Sequence, residues 1–439
     1  VVDVDTILQY AEREGAEEAE VISESSAFKY IRGSQKGPSQ VILGESTKYA
    51  LRAAVGGVVG FAYFTGDEED AVRGAVSLAK SRGIRDQKHS FVADMPARPL
   101  NVYRKSIKDI PVEQVVADLE AAGRATEDEQ VVASTVGCQL VCSDVEVANT
   151  SGVHRRESRS LTSMWVTCRA ADRDYGLGYS YNYSLEYDID FRQKGKQAKE
   201  GALRQLGKQK TDSGRKTVIF APRVFSNLLV AAAIPSFLGH NLARGRSTLH
   251  LGKKIASDHL TITENPVVES PQGRAFDDEG VPSQVVTLVD KRCVQNFLYD
   301  SYYGETTGNG IRFAQYQGRT LRHGPRPCAT SLSVTGGCTP LDVLISEVKD
   351  GLFVVDETNS HVSKQQTGQF SIAVTSGFII KNGEITAPVN RCMISGKAFE
   401  DLLPGVVKLS RERELHRSSV YPTYVDTGSV LVDSLRVTA

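Results

Sequence analysis

Apolar residues recur along this chain at two spacings, and the spacing changes from segment to segment. Ile7, Leu8, Ala11 and Ala16 fall near one face of a short helix. Residues 20–31 and 39–43 alternate enough to predict strands. Residues 51–55 and 58–64 flank Gly56-Gly57, a pair able to take the positive φ angles of a two-residue hairpin turn. Asp67 precedes residues 68–80, where Ala71, Val72, Ala75, Val76 and Leu78 form a helical stripe. A second helix is predicted at 112–125, with Val115, Val116, Leu119 and Ala122 on one face. Strands follow at 131–142, 145–148 and 154–170. Tyr179, Tyr181 and Tyr183 are spaced by two, which on a strand places all three rings on one face.

The pattern then shifts. Residues 192–216 hold nine Lys or Arg against two acids, with few large apolar residues. They read as an exposed basic helix and linker joining two halves. After a strand at 217–220, residues 224–238 read as a buried helix that Pro235 kinks or ends. Beyond it, strand and turn signals dominate. Residues 285–289 and 293–299 suggest a hairpin, and 341–348 and 352–355 lead to the strongest β signal. There, 370–380 and 385–394 are joined through Asn382-Gly383, the favoured centre of a type I′ turn. Hairpins outnumber strand–helix–strand crossovers. The expected fold is therefore α+β, not a doubly wound parallel sheet. Its expected parts are an N-terminal α+β portion at 1–190, a basic helical linker at 191–216 and a β-rich C-terminal domain at 217–439.

Composition narrows the class. The 439 residues are 40% hydrophobic and 24% charged, in the globular range. With 52 Lys+Arg against 53 Asp+Glu the net charge is −1, which argues against a dedicated nucleic-acid binder. A solvated helix face is the simpler reading of the basic stretch. No cationic segment followed by an apolar run opens the chain, and the apolar stretch at 224–239 is too short and interrupted to span a bilayer. A cytoplasmic protein is expected. Seven cysteines with no CxxC pair read as reduced, mostly buried thiols. Cys138 and Cys142 lie four residues apart on a predicted strand, about 13 Å, beyond disulfide reach.

Tests for chemistry mostly fail. Gly308-Asn309-Gly310 begins a GxGxxG pattern but has Phe313 in place of the third glycine, and Gly252-Lys253-Lys254 lacks the rest of a P-loop. No GxSxG elbow occurs. None of His89, His154, His240, His250, His259, His323, His361 and His416 sits in an HExxH or HExxxH pattern, and no ligand spacing converges on a metal. Cys328 and Cys338 are the loop cysteines, and Arg326 could lower a nearby thiol pKa; an unreactive thiol is the simpler reading. Asp277, Asp278 and Glu279 form the densest acidic cluster of the second half. They could hold a cation or the amino end of a peptide, although adjacent side chains point apart, and an exposed turn is the simpler reading. The tyrosines could stack on a ligand or pack against a second layer.

Several segments, in order, carry more than any one of them. Gly15-Ala16-Glu17-Glu18-Ala19-Glu20-Val21 opens the set, followed by Val55-Gly56-Gly57-Val58-Val59-Gly60-Phe61. Phe276-Asp277-Asp278-Glu279-Gly280-Val281-Pro282 and Thr307-Gly308-Asn309 come next. Gly368-Gln369-Phe370-Ser371, Ser376-Gly377-Phe378, Asn382-Gly383-Glu384-Ile385 and Ile394-Ser395-Gly396 close it. Together they resemble the PmbA/TldD family, historically called modulators of DNA gyrase, over nearly the whole chain. Asp290-Lys291-Arg292-Cys293 departs from it, standing where a glycine turn is usual.

The resemblance implies one of two kinds of subunit. The TldD kind carries HExxxH after a strand and binds zinc; the TldE, or PmbA, kind lacks it. Residues 228–240 here read Leu-Leu-Val-Ala-Ala-Ala-Ile-Pro-Ser-Phe-Leu-Gly-His, apolar where two histidines and a glutamate would stand. The resemblance therefore implies the metal-free subunit of a heterodimeric zinc peptidase acting on unfolded or extended peptides. No catalytic residue or cofactor is expected in this chain, and zinc is expected in a TldD-like partner. A homodimer is an alternative when that partner is missing. Asp277, Asp278 and Glu279 would then orient the cationic end of a peptide. Two other functions stay open: a stand-alone module acting on gyrase or a toxin–antitoxin system, and an independent hydrolase using Cys328 or Cys338.

Overall fold

Long strands with opposite characters on their two faces build the first half of the protein, whose computed structural model describes residues 2–81, 85, 91–314 and 318–439. The strands are β1 (Glu18–Ser34), β2 (Gly37–Val55), β3 (Val58–Phe64), β4 (Val131–Asn149), β5 (His154–Ala171) and β6 (Tyr175–Ser184). They pair antiparallel in the order β3-β2-β1-β4-β5-β6. Gly56 and Gly57, at φ 57° and 76°, make the tight turn between β2 and β3 that the sequence predicts. The segments predicted separately at 131–142 and 145–148 are one continuous strand, β4.

Helices cover one face of this sheet. α1 (Val4–Arg13) is capped by Asp3, whose side chain accepts from Thr6 N. With α2 (Glu68–Ser81) it packs on Val21, Leu51, Ala53 and Ala148. Further along lie α3 (Ser106–Asp109), α4 (Val112–Ala125) and α5 (Phe191–Leu203). They cover Ile31, Cys138, Leu140, Met164 and Val166. The opposite face, reached by the intervening residues Ile22, Val145 and Val147, takes Phe276 and Leu321 from the second half.

The basic segment expected to be an exposed helix and linker keeps one solvated face along its helical part and buries the other. Asp190 caps α5, and Phe191, Gly195, Ala198 and Ala202 are buried. Arg192, Lys196 and Glu200 stand on its exposed face, while small residues one turn apart let it press against β6. A Cβ at Gly176 or Gly178 would come 1.9 Å from the carbonyl oxygens of Ala202 and Ala198, so only glycine fits beneath this helix. The dense charge of the segment masks this narrow stripe of small residues in the sequence.

Among the described residues, the second half is built on an eleven-stranded sheet. It begins with β7 (Gly214–Phe220), followed at once by α6 (Pro222–Leu228). The last strand, Tyr424–Thr438, organises the rest. It pairs antiparallel with Met393–Lys397, with Val406–Arg417 and with β7, and parallel with Ser331–Thr335. Asp350–Thr358 pairs parallel with β7 and antiparallel with Gln369–Lys381, which pairs with Met393–Lys397. Those pairings close into a ring, so part of the sheet curls on itself around a large aliphatic core.

Asn382 and Gly383 have φ of 50° and 83°, as the predicted hairpin turn requires. The strand expected at 385–394 is split into Glu384–Pro388 and Met393–Lys397. Leu341–Ser346 is a helix, where the sequence suggested strand; Pro340 precedes it, and only Leu344 in it is buried. At the turn after Val286–Asp290, Lys291 and Arg292 both take positive φ, 45° and 74°, a conformation that glycine would hold with less strain.

Candidate functional site

Two buried segments carry the functional expectations: the helical run after β7 and the acidic loop at 276–282. Pro222 sits in the first turn of α6, where its missing N–H costs nothing. The helix continues as a π turn, Leu229–Ala233, and a 3₁₀ turn, Ile234–Phe237. The tightening coincides with Pro235, which has no N–H to donate inside the run. Every residue from 224 to 239 is buried, and most belong to one aliphatic cluster. Ser226 and Asn227 are its polar members near the start, and Asn227 Nδ2 donates to Glu357 Oε1 at 3.3 Å.

This is where the resemblance would place a zinc motif, and the residues present do not fit one. The side chains facing the core from Leu228 to Ala233 are aliphatic and offer no donor atom. His240 stands beyond the run, its ring 6.0 Å from that of Tyr303. Burial and then Arg244, Arg326 and Arg246 push its pKa down to about 4. Three nearby guanidinium groups oppose a divalent cation as they oppose a proton. Among the described residues, no group of three or more His, Cys, Asp or Glu could hold a metal ion. His89 lies outside the described residues.

The acidic loop was expected either on the surface or against a peptide. It is instead a polar core. Asp277, Asp278 and Glu279 are 1%, 3% and 1% exposed. Asp277 Oδ1 accepts from Glu279 N and Val281 N at 2.9 and 3.0 Å, and its Oδ2 from Gly310 N at 2.8 Å. Asp278 Oδ2 accepts from Arg312 N at 2.8 Å. Glu279 accepts from Ser301 N and Oγ and from Arg52 Nη2, at 2.9, 2.6 and 3.1 Å. All three carboxylates close on the segment 310–312, and a Gly280 φ of 81° turns the chain back beneath them.

That loop joins the two halves. Arg52 on β2 also holds Glu20 on β1, through Nε at 3.0 Å and Nη2 at 2.6 Å. Arg312, fully buried, donates from Nη2 to the same Glu20 at 2.8 Å. Burial alone would lower the Arg52 pKa, but the carboxylates of Glu20 and Glu279 raise it above its ordinary value. Beside them, burial and then the Glu279 carboxylate raise buried Asp300 to about 7. Glu20, Arg52, Asp300 and Arg312 were missed from sequence. One signal was available for Glu20: it shares its strand face with apolar Ile22, so a carboxylate there points inward.

A direct role for Asp277, Asp278 and Glu279 in holding a peptide amine would need surface they do not have. Asp278 alone reaches the wall of a cavity. The tyrosines lie at the seam between the halves. Tyr181 Oη donates to Glu414 Oε2 at 3.1 Å, Tyr183 meets Tyr424 edge-on at 5.6 Å, and Arg223 covers the Tyr179 ring at 4.7 Å. Cys328 is buried, and burial pushes its thiol well above the ordinary value, which suits packing rather than attack; Cys338 is exposed. Asn309, from the glycine pattern, is buried and donates to Glu264 at 3.1 Å.

Comparison with known proteins adds to this geometry. The family model described as the PmbA/TldA metallopeptidase C-terminal domain matches residues 213–439. The one described as the PmbA/TldA metallopeptidase central domain matches residues 105–206. A protein of Haemophilus influenzae named a metalloprotease PmbA homolog is 28% identical over 386 residues, 84% of this chain and 80% of its own length. One from Saccharolobus solfataricus named a zinc metalloprotease TldD homolog is 23% identical over 313 residues, 70% of this chain and 65% of its own. The crystal structure of TldE from Thermococcus kodakarensis superposes with a TM-score of 0.87, at 20% identity, covering 99% of both chains. The last likeness is one of fold. No helix among the described residues is long and apolar enough to cross a membrane.

Proposed function

The chain belongs to the PmbA/TldD metallopeptidase family, and from that premise we propose that it is the metal-free subunit of a TldD/TldE-type zinc peptidase acting on unfolded or extended peptides. Its partner is a TldD-like subunit that carries the HExxxH motif and the zinc; without that partner it pairs with its own copy. The observation that carries the reading is the buried run at 228–234, wholly apolar where the resemblance expects ligands. Relatives named as TldD and PmbA metalloproteases support a peptidase assembly.

In this reading the chain shapes and closes the space in which a peptide is held. An extended peptide is most simply held by backbone hydrogen bonds to a sheet edge, which tolerate many side chains. Asp277, Asp278 and Glu279 serve by bracing the junction of the two halves rather than by touching substrate. Hydrolysis itself belongs to the partner.

The test is reconstitution. The purified chain should hold no stoichiometric zinc and hydrolyse no peptide, and activity should appear when the HExxxH subunit is added. About one tightly held zinc per chain, chelator-resistant proteolysis by the chain alone, or full activity of the zinc subunit alone would each remove the proposal.

A further inference from the structure

The outer edge of β2 is unpaired over much of its length. β3 pairs only with residues 49–55, so residues 37–48 have β1 on one side and, among the described residues, no strand on the other. Every second residue there directs its N–H and C=O out of the sheet, where they can take another strand. Such edges are usually blunted by charge, proline or a short strand. Residues 39–44, Ser-Gln-Val-Ile-Leu-Gly, carry neither charge nor proline. Val41, Ile42 and Leu43 are 46%, 41% and 56% exposed, three large apolar residues in a row.

The run is apolar on both faces. Val41 lies opposite Ile31 of the helix-side core, so Val41 and Leu43 share the face that bears the helices, and Ile42 takes the other. On the helix side a hollow of about 380 Å³ opens between α3 and the sheet, with Ala27, Leu43, Ile107 and Leu140 in its apolar lining. A strand that covers this edge must itself be apolar on both faces, and β2 is such a strand. Set antiparallel to its own copy with Ile42 opposite Ile42, it places Val41 opposite Leu43, Gln40 opposite Gly44, Ser39 opposite Glu45 and Pro38 opposite Ser46. Each exposed apolar residue of the run then meets an apolar one, and over residues 38–46 no charge meets a like charge. Opposed residues lie on one face of a sheet, so the Val41 of each copy comes to the mouth of the other's hollow, beside its Leu43.

We propose that β2 is an interaction surface for a second copy of this chain: residues 38–46 of two copies pair antiparallel about a two-fold axis at Ile42 and join their six-stranded sheets into one. The contact is isologous, so it closes as a dimer. It has fewer residues a side than the roughly 20–30 of a standard interface, so the pair is reversible and its population follows concentration. The inference names the surface for the self-pairing proposed above and needs neither zinc nor peptide.

The full chain alone is followed by sedimentation across the micromolar range, with amide hydrogen exchange of residues 38–46 read at the same concentrations. Dimer should form as concentration rises, and exchange of that segment should slow in step with it. Ile42→Lys and Ile42→Glu, at an exposed position, should leave the unfolding midpoint of the monomer unchanged. Each sets two like charges face to face and removes an apolar pair, so each should weaken the dimer about tenfold or more. Mixed in equal amounts, the two variants should regain most of that loss, because opposite charges then face each other across the axis. A monomer throughout, dimerisation indifferent to both substitutions, or no rescue in the mixture overturns the assignment. A dimer that forms without protecting residues 38–46 keeps the self-pairing and removes this surface. The reconstitution described above decides the peptidase reading separately, since it requires no second copy of this chain.

Discussion

The acidic loop at 276–282 and the helical run Pro222–Phe237 are both buried, yet they are held by opposite means. The run is buried because its side chains are apolar and fill a common core. The loop is buried because each carboxylate finds N–H, O–H or guanidinium partners, and only such pairing makes a buried charge tolerable. The difference teaches that acid density in a sequence does not locate a surface. It also predicts that the two regions respond differently to the same kind of substitution.

The largest difference is expected from small changes of charge. Glu279→Ala leaves Ser301 N without its acceptor and removes one of the two carboxylates on Arg52. Breaking one member of a buried charge network costs about 3–5 kcal/mol. Glu279→Gln, nearly isosteric, should lose most of the same amount, because the charge rather than the volume is what Arg52 needs. Urea denaturation checks both variants. A loss below about 1 kcal/mol for the glutamine variant would mean that the loop is held by shape, like the helix.

Next in size is a pH effect beside the loop, where Glu279 meets Asp300. Asp300 has its carboxyl raised from an ordinary value of 3.8 to about 7 by burial and by Glu279. A raised carboxyl binds its proton more tightly in the folded state. Its stabilising contribution is full below pH 3.8 and is lost as pH climbs to about 7. Over that window it pulls stability down with rising pH by roughly 2–4 kcal/mol. Asp300→Asn should therefore flatten the pH dependence of the unfolding midpoint between about pH 4 and pH 7 and gain relative to wild type at the upper end. An unchanged slope would show that Asp300 ionises at its ordinary value. The helical run contributes no such slope, because Leu228 to Ala233 carry no titratable group.

The same contrast explains what could be read in advance. Period-two and period-3.6 patterns showed parts of β1 to β6, with β2 and β4 each expected as two shorter strands, and also the Gly56-Gly57 and Asn382-Gly383 turns and the buried character of 224–238, because each is decided by residues close in sequence. The ring of pairings around Tyr424–Thr438 was not readable, since strand partners far apart in sequence leave no local periodicity. Nor was the ion network: Glu20 and Arg312 are 292 positions apart, and nothing near either one shows that they meet. The helix at Leu341–Ser346 was read as strand because one buried leucine in six residues sets no period.

The smallest expected effect sharpens the comparison at the seam, where one side chain shares both characters. The Tyr181 ring packs edge-on to His416 at 5.3 Å, and its hydroxyl donates to Glu414 at 3.1 Å. Burial and then Glu414 raise its pKa far above the ordinary 10, so the hydroxyl stays protonated and remains a donor through the physiological range. Tyr181→Phe keeps the ring and removes only the donor. Glu414 is an exposed residue and regains water when the phenol is gone. The loss should therefore be only about 0.5–1 kcal/mol, the lower part of the range for a hydrogen bond between protein groups. Tyr181→Ala should cost several times more, because it removes the ring that fills the seam. If instead the phenylalanine variant loses as much as the alanine variant, the seam is held by its polar contact, and the two halves are joined everywhere by the logic of the acidic loop. If the two variants differ as expected, the charge network is local to that loop, and packing joins the halves along β6.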